Sequence, residues 1–309
     1  MSNNSFFKKI HAKFKQRKIN KRLKGEHVFE SRSNGSDILI IILAGYKDFC
    51  KDVVFSRIKE FAPKDADICI VSSGLYKEDL SNLAKENNWS YISCKRNNVC
   101  AALNIAINEF KNAKLIYKLD EDIFITKHFF PTLLDVYNNC KDNKALANPS
   151  FVAPLIPING YAHTVVLEKL NLVNKYEELF EEVKAECGSH RQIESNPDVA
   201  KFMWGKDNYV PQIDDLDEIM NKNPYEVRIC PIRFSIGAIL FSRKTREDMG
   251  YFNPGPGNGM GLDEIQICSL NSPKVISCNT CVGHLSFGKQ NPFMKEYFLN
   301  NKSIFEIKK

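Results

Sequence analysis

Three consecutive carboxylates follow an apolar stretch in the segment LIYKLDEDIFI, residues 115–125. Ionised side chains are seldom buried unless they are paired or bind a metal. Alternation along a strand would place Asp120 and Asp122 on one side and Glu121 on the other. Because Mg²⁺ and Mn²⁺ take oxygen ligands, often one or two carboxylates plus substrate phosphates, the motif predicts a metal–nucleotide site. The alternative is a solvated turn between a strand and a helix.

The elements before these carboxylates alternate between strand and helix. Apolar runs predict strands at 38–44, 66–71, 89–94 and 114–119, and the patterns between them predict helices at 52–61, 77–88 and 100–111. This alternation predicts a largely parallel sheet with right-handed crossovers. Ligands of such sheets bind at the carboxyl ends of the strands, where the loops AGYKD, SSG and DED lie.

The second half of the chain is less regular. Residues 165–186 are expected to form an acidic helix, residues 234–243 a strand and residues 263–270 a helix. Residues 254–261, PGPGNGMG, lack the Lys-Ser/Thr of a phosphate-binding P-loop. They are either a lid over bound ligands or a plain connecting loop.

The aromatic and cysteine side chains favour a packed core over further binding sites. Trp204 and Tyr209 could stack on a bound ligand, but such aromatics more often belong to the core. The ten cysteines are scattered, many of them in apolar runs, which is typical of reduced, core-filling cysteine. Cys278 and Cys281 form one CxxC, whereas a structural zinc site usually has four ligands, so we interpret this motif as packing.

The basic charge of the chain is concentrated in its tail. The net charge is +6, and residues 1–25 contain nine Lys and Arg and no acidic residue. Phe7, Ile10 and Phe14 recur at helical spacing, which suits a helix lying on an anionic membrane surface. The alternative is a solvated basic tail that touches nucleic acid without specificity. Residues 26–36 are expected to be a linker.

The sequence predicts an intracellular location. It has no run of about 18 apolar residues, so no transmembrane helix is expected. The N-terminus lacks the apolar segment of a secretory signal peptide. We therefore expect a cytoplasmic protein that is peripheral at the inner face of the membrane.

Two blocks resemble family 2 glycosyltransferases, which have the GT-A fold. Residues 97–125 are similar to the donor-binding half of that family, with Asn98 in a turn, a Leu-Asn pair ending at Asn104 and a strand ending in Asp-x-Asp. Residues 235–253 are similar to a Gly-led strand followed by a short helix and a Gly-x-Phe turn. Several motifs in the expected order carry more weight than any one of them.

Two later pieces extend the resemblance. The pair Asp263–Glu264 resembles the Glu-Asp that opens a helix and supplies the catalytic base, and His284 resembles the late histidine that completes metal coordination. The chain also departs from the family pattern. Its first strand ends LAGYKD rather than Pro-x-Tyr-Asn, its second ends SSG rather than with an Asp, and its acidic pair is Asp-Glu rather than Glu-Asp.

The resemblance implies one catalytic domain over residues 37–300, with a GT-A (Rossmann-like), mixed, mostly parallel central sheet and flanking helices. Residues 37–125 would bind a nucleotide-sugar donor, and residues 126–300 would hold the acceptor and the catalytic groups. The implied donor contacts are Ala44, Gly45, Tyr46, Ser72, Ser73, Asn98, Asn104, Asp120 and Glu121.

The resemblance also implies Mn²⁺ or Mg²⁺ as cofactor, held by Asp122 and His284. Asp120 would bind the donor ribose, or the metal through water. A sugar hydroxyl is a poor nucleophile, so a carboxylate would accept its proton; Glu264 matches that position best, with Asp263 as the alternative. The implied reaction is an inverting single displacement onto a glycan or lipid-linked acceptor. A Lys-, Asn-, Ile- and Phe-rich composition suggests bacterial surface-polysaccharide synthesis.

Two other functions stay open at this point. A sugar nucleotidyltransferase also pairs an α/β sheet with metal-binding carboxylates, but it releases pyrophosphate, and the glycine-rich, basic first loop typical of that class is absent here. A catalytically inactive binding module would use the same pocket for recognition alone, and the altered loops AGYKD and SSG are compatible with it. No specific nucleic-acid partner is expected.

The tail generates the first prediction. Deleting residues 1–25 should abolish co-sedimentation of the protein with anionic vesicles, because the deletion removes both the basic charge and the apolar face. Vesicle sedimentation of the full chain and the truncated chain measures this. Unchanged sedimentation of the truncated chain contradicts the membrane interpretation.

Overall fold

The computed structural model describes Arg17 and residues 25–308. The strands of this part are β1 (His27–Glu30), β2 (Ile38–Leu43), β3 (Asp67–Ser73), β4 (Ser90–Cys94), β5 (Leu115–Asp120), β6 (Ile123–Phe124), β7 (Phe151–Leu155), β8 (Val227–Ile229), β9 (Ala238–Ser242), β10 (Lys274–Cys281) and β11 (Gly283–His284). A nine-stranded sheet runs in the order β1-β4-β3-β2-β5-β9-β7-β10-β8, and β6 pairs with β11 beside it. Strands β1, β8 and β9 run antiparallel to the others, so the predicted mixed, mostly parallel sheet is confirmed.

Helices flank this sheet. They are α1 (Lys51–Phe61), α2 (Glu78–Glu86), α3 (Val99–Glu109), α4 (Phe129–Asn139), α5 (Ala162–Lys169), α6 (Val173–Leu179), α7 (Gln192–Ser195), α8 (Pro197–Met203), α9 (Ile213–Lys222), α10 (Arg243–Asp248), α11 (Leu262–Cys268) and α12 (Asn291–Asn300). Helix α3 packs on β2 and β3, and α4 packs on β7 and β10. The four central residues of β2 are fully buried on both faces of the sheet, which explains why its sequence ILIIIL is apolar without alternation.

The register of the central strands brings three loops to one edge. Leu43, the last residue of β2, pairs with Asp120 at the end of β5 and with Val71 near the end of β3. The loops that follow these strands therefore meet at the carboxyl edge of the sheet. The strand β9 is antiparallel and starts at the same edge, where the Asp120 backbone N–H donates to the carbonyl of Gly237.

Two sequence predictions are corrected by the fold. Residues 26–36, expected to be a linker, contain β1, which extends the sheet by antiparallel pairing with β4. Four residues on an exposed edge need no apolar alternation, so HVFE gave no strand signal. The helix expected over residues 165–186 is broken into α5 and α6, because Asn171 adopts a left-handed φ of 56° between them.

Other expectations concern membranes and cysteines. All ten cysteines are free, and Cys278 and Cys281 are fully buried in β10, which agrees with their interpretation as packing. No helix in the described ranges has the length and apolar character needed to cross a membrane. Residues 1–24, apart from Arg17, lie outside the described residues, so the membrane interpretation of the tail stays a prediction.

A buried guanidinium ties the C-terminal segment to the sheet edge. Arg57 of α1 is fully buried and donates to the carbonyls of Ile125, Phe305 and Glu306. It also makes a two-pronged contact with the carboxylate of Asp214 on α9, at 2.7 and 3.0 Å. Charge-assisted bonds of this bidentate kind are among the stronger polar contacts in proteins. The bond to Ile125 fixes the segment that follows the three carboxylates.

Candidate active site

The middle carboxylate of the DED motif holds the first loop in place. Glu121 accepts hydrogen bonds from the backbone N–H groups of Gly45 at 2.7 Å and Tyr46 at 2.9 Å. Burial raises the pKa of Glu121, and these backbone donors oppose that shift. The structure therefore brings Glu121, Gly45 and Tyr46 together, with Ala44 beside them, and gives Glu121 a positioning role. The Tyr46 ring stays exposed at this edge, and its hydroxyl donates to the carbonyl of Ser73.

The third carboxylate lies between a lysine ammonium and a histidine imidazole. Asp122 is 2% exposed, and its Oδ2 accepts a hydrogen bond from Nζ of Lys47 at 2.5 Å. The Nε2 atom of His284 lies 3.3 Å from the same oxygen. Burial alone would raise the pKa of Asp122, but His284 and Lys47 together hold that pKa well below its usual range. Asp122 is thus an ionised carboxylate at the pH of the cell.

Local pairing fixes the position of His284. Strand β11 pairs antiparallel with β6, which sets His284 opposite Ile123, and the Leu285 N–H donates to the carbonyl of Asp122. The indole N–H of Trp204 donates to the carbonyl of His284 at 3.0 Å. A Cβ on Gly283 would lie 2.1 Å from that indole, so only glycine permits this approach.

The two aromatic residues that could stack on a ligand, Trp204 and Tyr209, differ in exposure. Trp204 is 5% exposed and packs against the rings of Phe124 and Phe305, so it belongs to the core. Tyr209 is half-exposed and stacks on Phe202. The structure therefore assigns Trp204 the packing role that aromatic residues more often have.

The donor set of Asp122 and His284 fits a divalent cation. A carboxylate oxygen and an imidazole nitrogen, 3.3 Å apart, are ligands that Mn²⁺ accepts. Nδ1 of His284 is buried and has no hydrogen-bond partner among the described residues. In the described ranges no group of three or more His, Cys, Asp or Glu side chains could hold a metal. A cation bound here would therefore take further oxygen ligands from a substrate or water.

A buried lysine links the first carboxylate of the motif to the predicted base helix. Nζ of Lys118 lies 2.7 Å from Asp120 and 3.7 Å from Asp263, and it donates to the carbonyl of Ile236. Burial would lower the pKa of Lys118, but Asp120 and Asp263 raise it above its ordinary value. The ammonium is therefore a permanent cation between β5 and α11. The structure thus brings Asp120 and Asp263 together through a residue that the motif analysis had passed over.

Glu264 faces a different environment from its neighbour. Its Oε1 lies 2.8 Å from Nε of Arg233, and the hydroxyl of Ser235 donates to Oε2 at 3.4 Å. Burial raises the pKa of Glu264 to about 7, with Arg233 opposing the shift and Asp263 adding to it. A carboxylate with a pKa near the working pH is suited to general-base catalysis. This favours Glu264 over Asp263 as the base.

Four charged residues of the site were missed by sequence reasoning. They are Lys47, Lys118, Glu194 and Arg233. Lys118 did carry a signal, since a lysine inside the apolar strand LIYKLD needs a buried partner. Glu194 lies in the short helix α7 and Arg233 in a loop, and neither segment gave a sequence signal. Glu194 accepts a hydrogen bond from the Gly188 N–H, and burial raises its pKa, with Arg233 and His284 opposing that shift.

Two predicted donor contacts are corrected because their side chains are enclosed. Ser72 is fully buried, and its hydroxyl bonds to the carbonyl of Leu75 and to the hydroxyl of Tyr91. Asn104 is also fully buried, and its amide bonds to both the N–H and the carbonyl of Phe252. Asn104 therefore holds the turn after α10 rather than a ligand.

Asn98 likewise has a structural role in place of the predicted donor contact. Its amide donates to the carbonyls of Pro254 and Gly257, and its oxygen caps α3 by accepting from the Ala101 N–H. Gly259 packs so closely that a Cβ there would lie 2.7 Å from the amide nitrogen. The glycine-rich loop is thus fastened over the start of α3, as expected of a connecting loop rather than of a freely moving lid.

A substitution at Asn98 tests this fastening. Asn98→Ala should lower the free energy of unfolding by about 1–3 kcal/mol, because it removes a helix cap and leaves the buried carbonyl of Pro254 unpaired. Amide hydrogen exchange should rise by a larger factor within residues 254–261 than in β2 and β5, whose amides report only the change in global stability. Asn112→Ala, which removes one exposed bond to Gly35, is the matched control and should leave both measurements unchanged. Unaltered exchange in the loop of Asn98→Ala would contradict the assignment.

The chain was compared with known proteins. No protein-family model and no curated protein matches it. Among solved structures, GalNAc-T7 with UDP, GalNAc and Mn²⁺ is similar at 13% identity and a TM-score of 0.47, covering 84% of this chain and 47% of that one. The mannosyltransferase PcManGT from Pyrobaculum calidifontis, in complex with GDP-Man and Mn²⁺, is similar at 12% identity and a TM-score of 0.45, covering 96% and 72%. This chain spans about half the length of the GalNAc-T7 chain. Its function therefore has to be inferred from the arrangement of its own side chains.

Proposed function

We propose that the chain is a metal-dependent glycosyltransferase of GT-A type, similar to family 2 enzymes. It would transfer a sugar from a nucleotide-sugar donor to a glycan or lipid-linked acceptor by inverting single displacement. The observation that carries the proposal is the pairing, at one sheet edge, of an Asp122–His284 cation site with a carboxylate, Glu264, whose pKa is about 7. Lys118 bridges these two halves through Asp120 and Asp263.

The donor side of the site belongs to the loops after β2 and β5. Asp122 and His284 would hold Mn²⁺ or Mg²⁺, which when bound supplies positive charge to the departing diphosphate. Asp120 keeps one face exposed beside Lys118 and would bind the donor ribose. The exposed ring of Tyr46 presents an apolar face to the donor nucleotide.

The acceptor side belongs to α11 and the segments facing it. Glu264 would take the proton of the attacking hydroxyl while that oxygen bonds to the anomeric carbon and the bond to the diphosphate breaks. Arg233 orients the Glu264 carboxylate through its 2.8 Å contact. Glu194, which interacts electrostatically with both Arg233 and Glu264, would supply oxygen atoms that bind the acceptor.

The cellular context of the proposal is surface-polysaccharide synthesis in a bacterium. The catalytic domain would comprise residues 37–300, and residues 1–25 would hold it at the anionic inner face of the membrane. A lipid-linked acceptor would then meet a site that the tail keeps close to the surface. The lysine- and asparagine-rich composition supports the bacterial assignment.

A donor panel tests the proposed activity. With Mn²⁺ and a panel of nucleotide sugars, the protein should hydrolyse or transfer at least one donor and release a nucleoside diphosphate. Asp122→Asn should reduce that rate on the order of a hundredfold or more, because the leaving group loses its charge stabilisation. Release of pyrophosphate from a nucleoside triphosphate and a sugar phosphate would instead indicate a nucleotidyltransferase. Donor binding without turnover, unchanged in Asp122→Asn, would indicate a binding module.

The third prediction from the site concerns pH. The rate should fall as the pH drops through about 7, because protonated Glu264 cannot accept the acceptor proton. Glu264→Gln should reduce kcat on the order of 10²–10⁴-fold and remove this pH dependence. The groups facing Glu264 are Asp263, Arg233, Lys118 and Glu194.

Arg233→Met tests the direction in which the midpoint of that pH profile should move. Arg233 lowers the pKa of Glu264, so its removal should move the midpoint of the rate profile to higher pH. A profile of kcat against pH for the three proteins measures the effect. A midpoint that is unmoved in Arg233→Met, or a pH dependence that persists in Glu264→Gln, would assign the proton to another group.

A further inference from the structure

The ammonium of Lys47 is hydrogen-bonded to the Asp122 oxygen that the proposed metal cation would bind. Its Nζ lies 2.5 Å from Oδ2 of Asp122, and Nε2 of His284 lies 3.3 Å from that same oxygen. Asp122 is buried, with a side-chain exposure of 3%, so its charge has to be balanced from within the protein. In the structure, the lysine supplies that balance.

A divalent cation and the Lys47 ammonium cannot both hold this oxygen closely. Like charges at such separations repel strongly in a partly buried site. His284 cannot yield, because β11 pairing and the Trp204 N–H fix its backbone and its imidazole packs at right angles to the Phe287 ring. The group that moves must therefore be Lys47.

Lys47 is able to leave Asp122 without disturbing its loop. Its side chain is 25% exposed, which gives the ammonium a route to solvent. The backbone beside it is held by the bonds of Gly45 and Tyr46 to Glu121. A lysine side chain has a flexible stem of four carbons, so its ammonium can move while that backbone stays in place.

We propose that Lys47 is an internal counter-cation that competes with the divalent metal for Asp122 and is released when the donor binds. This inference rests on the proposed function. In the empty enzyme the ammonium neutralises Asp122 and opposes metal binding. The diphosphate of a donor offers the ammonium alternative oxygen atoms, so metal and donor bind together rather than separately. Premature occupancy of the site by metal alone is thereby disfavoured.

The test measures metal binding without turnover. Mn²⁺ is titrated into the full-length wild-type protein and into Lys47→Met, in the absence of nucleotide, with free Mn²⁺ followed by electron paramagnetic resonance. Lys47→Met should bind Mn²⁺ about tenfold more tightly or better, which corresponds to ~1.4 kcal/mol. Adding a nucleoside diphosphate should tighten Mn²⁺ binding more in the wild type than in Lys47→Met, because only the wild type has an ammonium to relocate.

Three further variants localise the effect. Lys77→Met removes a neighbouring ammonium, which pairs with Asp48 at 2.6 Å, and should leave Mn²⁺ affinity as in the wild type. Lys47→Gln replaces Lys47→Met if the thioether packs poorly. In the Lys47→Met background, Asp122→Asn should abolish the gain. Equal or weaker Mn²⁺ binding by both Lys47 variants, or a gain that survives Asp122→Asn, would overturn the inference. The proposed function fails separately, if no nucleotide sugar is turned over with Mn²⁺.

Discussion

Carboxylates buried at one edge of the sheet need cations, and the arrangement of the site follows from that need. Desolvated charge is costly unless it is paired with good geometry and its remaining bonding positions are satisfied. Lys118 meets this condition for two carboxylates at once, since its ammonium contacts Asp120 and Asp263 and also donates to the carbonyl of Ile236. A strand and a helix that lie more than a hundred residues apart in the chain are thereby held to one geometry.

The other carboxylates of the motif are satisfied in different ways, and the difference separates their roles. Glu121 is satisfied by backbone N–H groups, which are fixed, so it stabilises the loop that carries Gly45. Asp122 is satisfied by the Lys47 ammonium, which we propose a metal displaces, and by the His284 imidazole, which would stay beside the metal as a ligand. Three adjacent acids thus divide into one that Lys118 links to α11, one that holds the loop and one that pairs with a partly exposed lysine.

Much of the fold could be predicted because its signals are local. The strands β2 to β5 are apolar runs, and the loops that follow them fall at the sheet edge whatever the rest of the chain does. The sequence did not show which polar side chains are buried or which groups they bond to. Ser72 and Asn104 have the polarity of ligand contacts, yet their atoms bond to Leu75 and Phe252, which only the tertiary structure brings near. Lys47 stood within the quoted loop AGYKD, but nothing local showed that its ammonium reaches Asp122 75 residues later.

The order of the acidic pair on α11 illustrates how position in a helix assigns chemistry. Successive helical residues point about 100° apart, so Asp263 and Glu264 face different neighbours. Asp263 turns toward Lys118, whose ammonium is also shared with Asp120. Glu264 turns toward Arg233 and Glu194, where burial raises its pKa to about 7. Adjacent carboxylates are thus placed in contrasting environments: Asp263 pairs with the buried cation, and Glu264 has the raised pKa that the proposed role of proton acceptor requires. The Asp-Glu order, which departs from the pattern of the family that the sequence resembles, is therefore compatible with the roles proposed for Asp263 and Glu264.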